Sequence, residues 1–377
     1  MTFKLYPAGF LAAVAACGAP GSTTPGITGA SGVIVEAGPD LSAPRATHAM
    51  VALSDGRLLA IGGCVADGCE AGAASATVDI IAPGGKTMQG TGQLRERRVQ
   101  PSAIALPDDR VLVLGGWVDG RVSRTTEIFD ARTGRSVAGP VMESPRASPS
   151  VALLADGRVL IAGGYDGNAV LASAEIFDPA AARLSPAGAL GTARSGATAS
   201  LLPDGRVLVA GGGDGESAGR QALASAELFD PETLAFAPTG TMAQRRYKHG
   251  AVVLPDGDVL LIAGSDERDY AGKLRSVERY DIKTARFSNA GSLARPRFKL
   301  ADGVLVIGPG RVLIGAGDEQ PEIFDISSGR GELVAASLDG QWNYQTLRPA
   351  GKRTALLAGG YREGRIEPTK RSWLLRF

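Results

Sequence analysis

The chain is poor in the residues that most often carry chemistry. Of 377 residues only 2 are histidine, 3 cysteine and 3 tryptophan, and aromatics make up 5%. His48 and His249 stand far apart with several repeats between them, so a shared metal is not expected. No Ser-His-Asp set, phosphate-cradling glycine loop or clustered metal ligands can be assembled. Charge of one sign is lacking as well: 40 basic and 39 acidic residues leave a formal net charge of +1. No global field therefore draws the chain to nucleic acid or to anionic lipid. The apolar stretch near the N-terminus is too short to span a bilayer, and no segment carries a helical period.

Glycine is what the chain has in plenty, 52 residues, and it recurs in phase. The stretch "LLPDGRVLVAGG", ending at Gly212, has counterparts ending at Gly63, Gly116, Gly164, Gly264, Gly317 and Gly360, spaced 43 to 53 residues apart. Most copies place an Asp-Gly pair between two apolar runs, a hairpin signal because the tight turn needs positive φ. A third strand follows, "AEIFDP" at 174–179 and its relatives, and then a fourth, such as "ARLSPAG" at 182–188. One four-stranded sheet of this size buries too little alone. Seven of them packed radially hide both faces. The expected fold is all-β: a seven-bladed β-propeller with four antiparallel strands per blade.

The recurring "DGRVLVxGG…AExFDP" signature resembles the bacterial Kelch repeat of the galactose-oxidase-like propellers, over residues 32–377. Copies six and seven depart from it: Pro309-Gly310 replaces Asp-Gly in one, and "AGKRTALLAGG" lacks the acid in the other. Aromatics usual in the fourth Kelch strand are mostly absent. The last copy ends on "SWLLRF" without a fourth strand, whereas "GVIVEAGPDLSAPR" at 32–45 aligns with the outer strands elsewhere. The N-terminal strand is thus expected to close the last blade and remove an open edge.

Residues 1–16 read as an export leader, Lys4 preceding the apolar "LYPAGFLAAVAAC". Val14-Ala15-Ala16-Cys17 resembles a bacterial lipobox, which implies lipidation of Cys17; the rival is a secretory signal with an incidental cysteine. By family analogy, Gly18 after the cysteine suits sorting to the outer membrane. Residues 17–31, rich in Gly, Ser, Thr and Pro, read as a flexible tether. The expectation is an exported protein of the bacterial cell envelope, held at the outer membrane by its lipid alone. Cys64 and Cys69 share one short loop, where an oxidising compartment favours a disulfide over a metal site.

One arginine recurs before each first strand: Arg45, Arg98, Arg146, Arg194, Arg246 and Arg297. One acid recurs in the third strand: Asp79, Glu127, Glu175, Glu227, Glu278 and Glu322. Blade seven has Trp373 in the acid's place and Gln341 or Trp342 near the arginine's. Two readings stand. The pairs are structural salt bridges, or the arginines face a ligand, as the resemblance implies for Kelch domains that bind acidic peptides. The residues after each closing glycine belong to the same face. There Trp117, Tyr165 and Tyr361, with Trp342 and Tyr344, are candidates for stacking on a sugar ring or peptide. Packing against neighbouring loops is the alternative. A galactose-oxidase-like copper site would need two histidines and a Cys-crosslinked tyrosine, and the spare cysteines sit in one loop. The glycine-rich stretches at 164–168 and 212–216 fit turns better than calcium sites.

The function expected from these readings is binding of a protein, peptide or glycan through one propeller face, without catalysis, cofactor or metal. The alternative is a Kelch-type enzyme acting on a carbohydrate, similar to sialic acid mutarotases, with Arg and Glu as its working groups. A catalytic pair should be unique, and these pairs are periodic.

Overall fold

A computed structural model of the chain describes residues 32–69, 72–215, 221–300, 302–362 and 366–377. The leader, Cys17 and the tether lie outside the described residues. Within them the protein is all-β, with two short 3-10 turns at Asp67–Cys69 and Asp269–Gly272 as the helical segments.

Local chemistry builds the hairpins. Gly56, Gly157, Gly205 and Gly257 close the first turn of their units at φ of 86–93°, a conformation that only glycine adopts without strain. Where the sequence reads Asp-Asp instead, Asp109 is held at φ 64°. In four units the aspartate before the turn accepts the backbone N–H two residues on and, through its second oxygen, the side chain of that arginine, as Asp156 does for Arg158. The second strand of each unit, such as Val159–Ala162 or Val207–Ala210, is buried throughout. That explains its continuous apolar run, since such a strand is covered on both faces. Each fully buried Leu or Val there contributes roughly 1.5–3 kcal/mol.

Three four-stranded sheets and two eight-stranded sheets result. Each eight-stranded sheet is two four-stranded runs joined through a single parallel bridge, Gln93↔Arg135 in one and Ser292↔Arg330 in the other. The outer strands that make these bridges, Met88–Arg98 and Arg286–Arg297, are longer than the sequence pattern implied. Glycine permits the approach: a Cβ on Gly92 or Gly291 would collide with the chain at Gly134 or Gly329.

The units, numbered one to seven by their first strands, form a closed cycle. First strands of successive units touch all the way round, unit seven touching unit one. Seven apolar clusters lie between neighbouring units. Val51, Leu59, Val111 and Phe129 form the one between units one and two, and Met50, Leu58, Leu356 and Leu374 the one between seven and one. The closing glycine N–H of each unit donates to the carbonyl at the arginine position of the next. Gly63 reaches Arg98 at 2.8 Å and Gly164 reaches Arg194 at 2.9 Å. Gly317 reaches Trp342 at 3.2 Å, and Gly360 completes the cycle at Arg45 at 2.9 Å. The N-terminal strand Ile34–Ala37 pairs antiparallel with Ser372–Arg376, Ile34 opposite Arg376 and Ala37 opposite Trp373. The fold is propeller-like.

Candidate functional site

The six recurring arginines are fully buried, each at 0% exposure. Each pairs with the acid of its own unit, from 2.7 Å for Arg246–Glu278 to 3.1 Å for Arg297–Glu322. Each guanidinium also donates to the carbonyl at the end of its second strand, Arg194 to Gly211 at 2.9 Å for example. Glu227 in turn accepts the backbone N–H groups of Gly191 and Thr192. Burial pulls Arg45, Arg194, Arg246 and Arg297 below the usual guanidinium range, and their acids pull the other way. Arg45, Arg98, Arg146, Arg194, Arg246 and Arg297 are thus engaged within their own units rather than exposed on the face. Their charge and hydrogen-bonding capacity are used there, and their acids are buried with them.

Trp342 takes the arginine's place in unit seven and is likewise withdrawn. It is buried against Trp373, with ring centroids 5.9 Å apart, and its indole N–H donates to Leu338 O at 2.9 Å. An apolar pair thus replaces the ion pair in that unit. Trp117 and Tyr165 are half-buried neighbours, their rings tilted and 6.4 Å apart. Tyr361 is buried and Tyr344 half-buried, with centroids 6.0 Å apart. The Cys64–Cys69 disulfide is formed on the same side, where Cys64 bridges Ala46 just as Trp117 bridges Val99 and Tyr361 pairs Asn343. Asp166 accepts the N–H groups of Asn168 and Ala169, so its carboxylate serves the turn.

A second periodic feature escaped the residue pattern. Two places after each arginine, or after Trp342, the backbone is left-handed. These residues are Thr47, Gln100, Ser148, Gly196, Lys248, Lys299 and Tyr344, with φ between 49° and 62°. Six of the seven are not glycine, and such conformations concentrate at functional sites. Members from neighbouring units meet: Gln100 Nε2 donates to Ser148 Oγ at 2.8 Å, and Gly196 N donates to Ser148 O at 2.9 Å. The types differ from unit to unit, so only their common offset from the arginine marks them in the sequence.

Lys299 is the centre of the most distinctive cluster on this face. It is 5% exposed, and its ammonium donates to Tyr361 Oη at 2.5 Å and to Tyr270 Oη at 3.0 Å. It also sits over four rings, Tyr270 at 4.3 Å, Phe298 at 4.6 Å, Tyr361 at 5.1 Å and Tyr344 at 5.5 Å. Lys273 lies 5.0 Å from the Phe298 ring, and Lys248, ion-paired with Asp269 at 3.0 Å, lies 5.8 Å from it. Burial pushes the Tyr361 phenol far up, so it stays protonated. Tyr270 is 43% exposed and forms the outer end of this chain of groups.

No protein-family model and no curated protein matches the sequence. Among solved structures the chain is similar to a fungal alcohol oxidase of the AA5 family, solved in complex with copper. The TM-score is 0.71 at 15% identity, over 91% of this chain and 75% of that one. The likeness is one of fold, of the galactose-oxidase type. The residues here do not fit the neighbour's copper. His48 and His249 are buried in different units, their Nε2 atoms hydrogen-bonded to Thr346 at 2.8 Å and Thr198 at 3.0 Å. Burial first, then the nearby guanidinium groups, lowers both from 6.5 to about 3. Cys64 and Cys69 are spent in the disulfide. Among the described residues, no group of three or more His, Cys, Asp or Glu side chains is placed to hold a metal ion.

Proposed function

We propose that the chain is a seven-bladed Kelch-type propeller whose face around Lys299 takes a carbohydrate-type ligand and moves protons on it without copper. Seven interunit cores and the seven-membered hydrogen-bond cycle support the blade count. The repeat signature and the likeness to the fungal oxidase support the Kelch type. One observation carries the functional reading: the buried Lys299 ammonium held between the hydroxyls of Tyr270 and Tyr361, beneath rings able to stack on a sugar. The ammonium groups of Lys248, Lys273 and Lys299 around the same rings favour a sugar bearing a carboxylate.

The reaction these groups suit is opening and reclosing of a cyclic hemiacetal. One group takes the proton of the anomeric hydroxyl while another protonates the ring oxygen. The ring C–O bond breaks, the carbonyl forms, and no co-reactant is consumed. Tyr270 is the member of the chain a ligand reaches, with Lys299 behind it to hold the charge. Binding of a protein, peptide or glycan without turnover is the second reading, favoured by the half-buried Trp117–Tyr165 pair. We further propose export and tethering through lipidated Cys17, a reading that rests on the leader sequence alone.

Exchange spectroscopy on the anomers of D-glucuronate and D-glucose tests the catalytic reading. The protein should accelerate anomer exchange of the uronate, and Lys299→Met or Tyr270→Phe should abolish the acceleration. Binding without acceleration leaves the second reading, and no binding of either sugar overturns both for this ligand class.

A further inference from the structure

Unit seven breaks the repeat at the loop that borders this site. The residue after the arginine is Ala46, Val99, Ala147, Ser195, Tyr247 or Phe298 in the other units, and Asn343 here. Two places further on, the other units carry His48, Pro101, Pro149, Ala197, His249 or Leu300, and unit seven carries Gln345. Both amides are 1% exposed, and among the described residues neither the nitrogen nor the oxygen of either has a hydrogen-bond partner. Four buried polar atoms without partners in one short loop is far from the norm, and each weakens the fold.

Between them stands Tyr344 at φ 55°, a bulky residue where the backbone favours glycine. The left-handed turn recurs at this place in every unit, and in unit seven it carries the largest side chain. Tyr344 rests its ring 5.5 Å from the Lys299 ammonium and 6.0 Å from Tyr361. Asn343 is the strand partner of Tyr361, and Gln345 packs against Gly360, where a Cβ would strike its Cγ. The unsatisfied loop is therefore the wall of the lysine–tyrosine site.

We infer that Asn343 and Gln345 are the specificity residues of this face and hydrogen-bond the hydroxyls of the ligand once Tyr344 leaves its left-handed conformation. A carboxamide presents a donor and an acceptor side by side, and a sugar hydroxyl answers both. A site that leaves such groups unpaired when empty discriminates strongly against ligands lacking the matching hydroxyls. The assignment rests on the carbohydrate reading above and divides the ligand in two. Its carboxylate lies toward the lysines and its hydroxyls toward unit seven.

Asn343→Ala and Gln345→Leu install residues that units three and six already carry at these places. Each should raise the melting temperature of the ligand-free protein by a few degrees and weaken calorimetric binding of D-glucuronate at least tenfold. A fall in melting temperature in both variants would mean the amides are satisfied within the fold, and overturns the inference. Raised melting with unchanged glucuronate affinity overturns it as well, leaving an unoptimised loop. Lys299→Met separates the two levels: if it loses D-glucuronate while both amide variants keep it, the specificity assignment fails and the carbohydrate reading stands. If the wild-type protein binds neither D-glucuronate nor D-galacturonate, the carbohydrate reading fails and takes the inference with it.

Discussion

Mild acid should loosen this protein through its two histidines. His48 and His249 are fully buried and titrate at about 3 in the fold, against 6.5 when exposed. Below 6.5 the unfolded chain then binds protons that the folded chain refuses. The stabilisation is fully present above that value and is lost as pH falls toward 3. Between pH 7.5 and pH 5 the loss is about 2 kcal/mol for each histidine, hence about 4 kcal/mol together. With about 2.1 cal/mol/K of unfolding entropy per residue, that lowers the melting temperature by about 5 °C for a domain of this size. Melting curves at pH 7.5, 6 and 5 measure it. His48→Gln and His249→Gln supply the control, since Gln345 occupies the same place in unit seven. Each variant should lose about half of the acid-dependent shift and the double variant nearly all of it. A double variant that keeps the full shift would refute the assignment to these imidazoles.

Two further outcomes follow from the structure and a third from the sequence. Arg194→Ala and Glu227→Ala should each cost about 3–5 kcal/mol in chemical denaturation, and the double variant less than their sum, because each single change strands a buried charge; full additivity would contradict the pairing. Deleting residues 32–37 should expose the edge of Ser372–Arg376, lower the melting temperature sharply and promote aggregation, whereas deleting 18–30 should leave melting unchanged. Replacing Cys17 with Ser should move the protein from the membrane fraction to the soluble one and remove the mass of an acyl group; unchanged fractionation would count against the lipobox.

Much of the fold was legible because it is local and repeated. Asp-Gly turns demand positive φ, and the buried second strands demand an apolar run, so each unit announces itself. The closing role of residues 34–37 was legible for the same reason, as a strand missing at one end and present at the other. The site was not. Charged side chains normally face water, so for the six arginines a ligand surface stood open beside the structural salt bridges. Their burial depends on acids some thirty residues away and on carbonyls at strand ends, as Arg194 shows with Glu227 and Gly211. Lys299, Tyr270 and Tyr361 come from different units and share no motif. Their meeting is set by how units five, six and seven pack, and the left-handed backbone at Lys299 belongs to the repeated loop rather than to lysine's own preference.

The most direct test of the account is a crystal structure of the protein soaked with D-glucuronate. Density for the sugar should lie on the face around Lys299, in contact with Tyr270 and Lys299, with Tyr344 displaced from φ 55°. Sugar bound elsewhere, for instance in the outer groove lined by Arg206, Asp230, Pro238 and Thr239, with the Lys299 cluster unchanged, would contradict it.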